Sequence, residues 1–259
     1  MKHKILTLLL IAFVSGQPLI AQTYKPGDHW YVGPQIGMAS FFGDLSVHDF
    51  SLSRKISDES GFTWGLLVGK ALSPKVDLRL NYLNGKLKGA NPGLDMYFEN
   101  NFSELNLGTS VSISQLIWPG NTVRFSLSAN IAAGFIHFRA IKYKLSDNSY
   151  LSSEGFDQLK GKDGSAKSSL VLPIGIGLGF RLTNRWTLSG DFSYRFNNSD
   201  KIDSQIGNTG ISDRYSVASV GCYYIIAPKT KLNGNYYDSA GQGEQSNNRK
   251  VRQKEKRKK

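Results

Sequence analysis

Large apolar residues alternate with small or polar ones along most of the chain between Trp30 and Ile226. Period-two alternation over such lengths marks strands with two different faces, because a helix repeats every ~3.6 residues instead. Eight segments carry it. The first sets Trp30, Val32, Pro34, Ile36 and Met38 against Tyr31, Gly33, Gln35, Gly37 and Ala39. The second sets Phe62, Trp64, Leu66 and Val68 against Thr63, Gly65, Leu67 and Gly69. The third opposes Val76, Leu78, Leu80 and Tyr82 to Asp77, Arg79, Asn81 and Leu83, and the fourth Leu105, Leu107, Val111 and Ile113 to Glu104, Asn106, Gly108, Ser110 and Ser112. The fifth is the cleanest, with Val123, Phe125, Leu127, Ala129, Ile131, Ala133 and Phe135 opposite Arg124, Ser126, Ser128, Asn130, Ala132 and Gly134. In the sixth, Leu170 to Arg181, glycines 175, 177 and 179 share one face while Ile174, Ile176 and Leu178 share the other. The seventh sets Trp186, Leu188, Phe192 and Tyr194 against Thr187, Ser189, Asp191 and Arg195. The eighth, around 213–226, alternates less clearly, with Val220, Cys222 and Tyr224 on its apolar face.

The spacing of the glycines in the sixth segment does not match a G-x-G-x-x-G phosphate loop, and no helical run follows them. Pro173 in the same segment removes a ladder donor, and a bulge is expected there.

The links between segments have two lengths. "ALSPK", "SQLIWPGN" and "LTNR" are short; the links beginning near Gly43, Gly89, Ile141 and Asn197 are long. Short turns at one end and long loops at the other, with strands of about 9–11 residues, fit an outer-membrane barrel. The chemistry of the faces gives the solvent. Eight strands enclose too little space for a full complement of large side chains, whereas glycine, serine and asparagine fit. The apolar face therefore points to lipid. The expected fold is all-β: an eight-stranded antiparallel transmembrane β-barrel, 22–226, followed by a disordered basic tail, 227–259. Aromatic residues near segment ends, Trp30, Trp64, Trp118 and Trp186 with Phe41, Phe42, Tyr82 and Tyr194, are the expected interfacial girdles.

Seven charges fall on the inward face: Asp77, Arg79, Glu104, Arg124, Arg181, Asp191 and Arg195. Charges withdrawn from water persist when paired, and the planar guanidinium fork can bridge two carboxylates. A structural network filling the lumen is the expectation, with Asp77, Arg79, Arg124 and Arg181 toward the short-turn end and Glu104 and Arg195 toward the long loops. A sharper reading is a gated conductance path.

Ahead of the barrel, Lys2 and Lys4 precede an apolar run, Ile5–Val14, that Ser15, Gly16 and Pro18 interrupt. This is the layout of a secretory signal peptide, 1–21, expected to be cut after Ala21. Cys222 is the single cysteine, which excludes an intrachain disulfide and a cysteine-based metal cluster. The formal net charge of +12 is concentrated at the end of the chain. Residues 227–259 hold ten Lys/Arg against three acids, a net +7, and Lys2 and Lys4 add +2, which leaves the barrel segment, 22–226, at +3. The tail is read as a solvated periplasmic segment able to dock electrostatically on anionic lipid or an acidic periplasmic partner. Its basic cluster would suit nucleic acid, but an exported chain argues against that partner.

No G-x-S-x-G or H-E-x-x-H motif occurs in the sequence. His48, flanked by Asp44 and Asp49, could form a polar dyad in the first long loop, and His137 sits on the outward register. Solvated or interfacial histidines account for both, so no catalytic residue, metal ligand or cofactor is assigned and the chain is read as a non-enzyme.

"YVGPQIGMASFFGDLS" resembles the opening of a family of eight-stranded outer-membrane barrels found with type IX secretion systems, the aromatic-Gly-Asp-Leu motif being Phe42, Gly43, Asp44 and Leu45. "VDLRLNYLNGKLKG" and "YFENNFSELNLGTSVSIS", the latter with Glu104, resemble its third strand and its entry to strand four. The resemblance covers 30–113 and implies a barrel that supports a secretion or motility assembly. Localisation in the bacterial outer membrane and a structural or accessory role follow, with outer-membrane lipid and a periplasmic or secretion-apparatus protein as partners. A small gated, porin-like channel and an outer-membrane lipid-modifying enzyme remain the alternatives.

Overall fold

A computed structural model describes residues 29–43, 45–46, 55, 59–119, 124–155, 166–199, 202, 204, 213–226, 229–232 and 235–238. The expected signal peptide, Asp44, His48 and Asp49 lie outside the described residues, as does most of the tail. All eight alternating segments are strands: β1 (Trp30–Phe42), β2 (Ser60–Ala71), β3 (Val76–Asn91), β4 (Met96–Ser112), β5 (Phe125–Lys144), β7 (Lys167–Arg181), β8 (Trp186–Asn197) and β9 (Arg214–Ile226). A short strand, β6 (Tyr150–Glu154), pairs with the far end of β5.

Each barrel strand pairs antiparallel with the next, and β9 returns to β1, so the ring closes. Closure is what a bilayer demands, since an open sheet edge would leave backbone N–H and C=O groups in hydrocarbon. The register puts the predicted apolar residues outside: Ile36, Leu66, Leu107, Phe135 and Ile176 are all exposed.

The turns at one end are built alike. In "LSPKV" Ser73 Oγ accepts from the Lys75 and Val76 amides at 3.2 and 3.0 Å; in "LTNRW" Thr183 Oγ1 accepts from Arg185 and Trp186 at 3.2 and 3.1 Å. These side chains satisfy amides that the tight reversal would otherwise leave without a partner. Between β4 and β5 a single helical turn, Ile113–Ile117, is capped by Ser112, whose Oγ accepts from Gln115 N at 3.3 Å. Ile113, read as the end of the fourth strand, begins this turn.

The other end departs from expectation. No long link opens at Gly89: β3 continues to Asn91, one 3₁₀ turn at Pro92–Leu94 reverses the chain, and β4 starts at Met96. Likewise β5 runs past Ile141 to Lys144 and returns through β6. In that turn, hydrogen bonds from Ser149 hold the Asp147 carboxyl below the usual carboxylate range. The physical reason for the difference is an exchange of faces along the same strands. One outward row reads Tyr82, Leu105, Phe135, Leu170; the next reads Asn84, Ser103, His137, Ser168. Beyond it, Lys86, Lys88, Glu99 and Asn101 point out, while Leu83, Leu87, Phe98, Phe102, Ile136 and Phe138 are buried inside. The strands leave the bilayer at this row, and their outer parts are organised as in a water-soluble barrel.

Pro173 does not produce a bulge. The β5–β7 ladder is interrupted between Ile131↔Ile174 and Gly134↔Val171 but resumes in the same register, and the pairing of β7 with β8 is continuous through Pro173↔Arg195. The missing donor is confined to one neighbour. Pro34 is handled in the same way: β1 pairs β2 without a break and skips two pairs on the β9 side. Within the tail, β10 (Lys229–Leu232) and β11 (Asn235–Asp238) form a separate hairpin, so the tail opens on a hairpin.

Candidate functional site

The interior holds two polar layers, an apolar cap above them and a cavity below. In the layer nearer the loops, Arg195 Nε lies 2.9 and 3.0 Å from the two carboxylate oxygens of Glu104, both side chains being essentially removed from solvent. Tyr215 Oη and Asn106 Nδ2 also donate to Glu104, and Arg195 Nη1 donates to Ser193 Oγ at 2.7 Å. A carboxylate with a guanidinium and two neutral donors has replaced most of the hydration it gave up.

In the second layer Asp191 is the hub. Arg79 Nη1 and Asn130 Nδ2 both lie 3.2 Å from its Oδ1, and Ser189 Oγ donates to Oδ2 at 2.6 Å. Arg79 Nε donates to Tyr31 Oη at 3.1 Å, and Tyr31 donates on to Asp77 at 3.2 Å. Gln35 joins Asn81 at 2.5 Å and receives a 3.4 Å hydrogen bond from Tyr223. Only a void of about 70 Å³ separates the layers.

The seven charges read from the register thus do not form one network. Glu104–Arg195 and Asp77–Arg79–Asp191 make two separate knots, and Arg124 and Arg181 lie lower, lining a cavity of about 160 Å³ at the short-turn mouth with His29, Asp77, Arg79, Ser126, Ser128, Thr187 and Ser189. Strand register fixes depth and face, but pairings across the lumen depend on side-chain reach. The neutral partners carry no charge to mark them in the sequence: Tyr31, Gln35 and Asn106 share the inward face with residues that make no such contacts, and Tyr215 and Tyr223 belong to the strand whose alternation is weakest.

Above the upper layer, Phe41, Phe98, Phe102, Phe138, Leu87 and Tyr215 form an apolar cluster. Phe41 is therefore not an interfacial residue as expected: it points inward and packs edge-on against Phe98 at 4.7 Å. Ile202, between β8 and β9, is fully buried in this cluster. Asn100 donates to its carbonyl at 2.6 Å and its amide donates to Asp213 at 2.8 Å.

Outside, three of the four tryptophans, Trp30, Trp118 and Trp186, lie at the short-turn end, and Trp186 packs on Tyr224 at 5.1 Å. Trp64 lies at the level where the faces exchange, 6.0 Å from Tyr82. His137 Nδ1 is 2.7 Å from Ser168 Oγ on the outer wall, in that same row. An apolar groove of about 870 Å³ crosses the lipid-facing wall between Ile36, Met38 and Phe192, where Gly190 leaves open space.

A closed barrel with an apolar belt, aromatic ends and a polar, filled lumen defines an integral outer-membrane protein. The chain belongs to the family described as outer membrane protein beta-barrel domain, whose model matches residues 6–224, and it is a protein of the bacterial outer membrane. No curated protein matches it. Among solved structures, Neisserial surface protein A is similar at 15% identity over 75% of this chain and 96% of that one, with a TM-score of 0.45. The attachment invasion locus protein Ail of Yersinia pestis, in complex with the heparin analogue sucrose octasulfate, is similar at 11% identity over 76% and 99%, TM-score 0.41. OprG of Pseudomonas aeruginosa is similar at 13% identity over 79% and 98%, TM-score 0.42.

Proposed function

We propose that the protein is a structural or accessory barrel of the outer membrane that works through its loops and its basic tail, contacting a periplasmic or secretion-apparatus partner. The observation that carries this reading is the filled interior: two polar knots and the apolar cluster around Ile202 occupy successive levels of the lumen. A barrel whose bore is occupied acts through its surface. The tail adds a segment of net charge +7 within 227–259, suited to an acidic protein face or an anionic leaflet. The likeness of 30–113 to barrels of type IX secretion supports an assembly of that kind, and Glu104, the acid of that resemblance, is the centre of the buried upper knot.

Affinity capture with the full-length protein and with a chain ending at Pro228 tests the tail. A partner captured only by the full-length chain is expected; identical partner sets would remove the tail from the reading. Single-channel recording tests the lumen, where no stable nanosiemens steps are expected and their appearance would favour a gated channel.

A further inference from the structure

We propose that the short-turn mouth of the lumen is a binding site for a phosphate-sized oxyanion, held by Arg124 and Arg181 over a floor formed by Arg79. This site is independent of the partner contacts proposed for the loops and tail.

Three guanidinium groups, Arg79, Arg124 and Arg181, line the cavity of about 160 Å³ against the single carboxylate of Asp77. Asp77 already receives a hydrogen bond from Tyr31, and Asp191, behind the floor, is engaged by Arg79, Asn130 and Ser189. Arg181 has contacts of its own; with both acids that face these cations counted, Asp77 in the lining and Asp191 against Arg79, the three guanidiniums carry an excess of one positive charge. Guanidinium forks match the geometry of an oxyanion, while the hydroxyls of Ser126 and Ser128 beside them donate to the Gly179 and Gly177 carbonyls at 3.5 and 3.3 Å.

The space itself is maintained by a residue chosen for its size. A Cβ on Gly179 would meet Ser126 Oγ at 2.5 Å, and its next neighbour, Thr187 Cγ2, lies 3.8 Å away. No backbone atom crowds it and its φ is not in the left-handed region, so the strand does not require glycine here. Gly175, in the same row of the strand, differs: its virtual Cβ runs into the Phe192 carbonyl and Ser193. Glycine at 179 keeps the mouth open, and a larger side chain there would fill it.

The test titrates inorganic phosphate into the full-length protein in detergent micelles at constant ionic strength, with chloride as the control anion. Saturable 1:1 binding is expected, weakened about tenfold or more in the Arg124→Gln/Arg181→Gln variant through loss of charge-assisted hydrogen bonds. Gly179→Val, which keeps every arginine, is expected to weaken it comparably. Folding of each variant is read from heat-modifiable gel mobility. For the wild-type protein alone, phosphate is expected to slow phenylglyoxal modification at Arg124 and Arg181. Repeating the titration in phosphatidylcholine vesicles with and without phosphatidylglycerol identifies the source. Competition by the anionic lipid assigns the site to a headgroup phosphate, and unchanged affinity assigns it to a soluble one. No saturable binding to the wild type, or binding that survives Gly179→Val unchanged, would overturn the proposal.

Discussion

Glu104 is a carboxylate with no access to water, in a barrel whose wall faces hydrocarbon. Its charge is held by Arg195, with Tyr215 and Asn106 as further donors. Such a pair is expensive to break and cheap to replace, because removing one partner leaves the other charged and unsolvated. Arg195→Met is therefore expected to destabilise the folded barrel by about 3–5 kcal/mol, and Glu104→Leu combined with Arg195→Met to recover most of that loss. Urea unfolding in lipid vesicles measures both. A cost for Arg195→Met below about 1 kcal/mol, the range of exposed pairs, would show that the knot is hydrated and not a sealed layer.

Strand β4 crosses two solvents in seventeen residues, and the outward side chains report where. Leu107 lies in the apolar belt; Asn101, six residues earlier on the same face, lies past the exchange row. Leu107→Arg is expected to cost about 2–4 kcal/mol, as a charge facing lipid near the middle of the bilayer does. Asn101→Arg is expected to stay within about 0.5 kcal/mol, as at an ordinary water-facing site. Equal costs would move the membrane boundary. This boundary also explains what the sequence made legible. The eight strands could be read because large residues alternate with small ones wherever the outside is lipid. Past Tyr82 and Leu105 the alternation persists with its faces exchanged: Leu83, Leu87, Phe98 and Phe102 turn in while Lys86, Lys88, Glu99 and Asn101 turn out. A reading keyed to apolar-outside ends the strands there and writes the rest as loop. The depth and face of the seven lumen charges were legible for the same reason as the strands. The links Arg195–Glu104 and Arg79–Asp191 were not, because they join β8 to β4 and β3 across the bore, and strand alternation carries no record of distance across it.

For the whole molecule, barrel and tail are separate in their backbone pairing. The barrel closes through β1 and β9, and β10 pairs only with β11 among the described strands. A chain ending at Pro228 is expected to keep the folded-form gel mobility and urea midpoint of the full-length protein; loss of either would mean that the tail braces the barrel. The exchange of faces has a consequence for how the barrel enters and stays in its membrane. The segments carrying Lys86, Lys88 and Glu99 must cross hydrocarbon before Phe98, Phe102 and Phe138 can meet Ile202 on the far side. Assembly of that cluster is therefore expected to come last, since it is available only to strands that have fully traversed. Once made, it works as a latch: withdrawal has to dismantle an apolar core in water and then drag its polar exterior back through lipid. The two steps oppose escape in sequence, and the outer cap gives the inserted state a kinetic persistence that the lipid-facing belt alone would not provide.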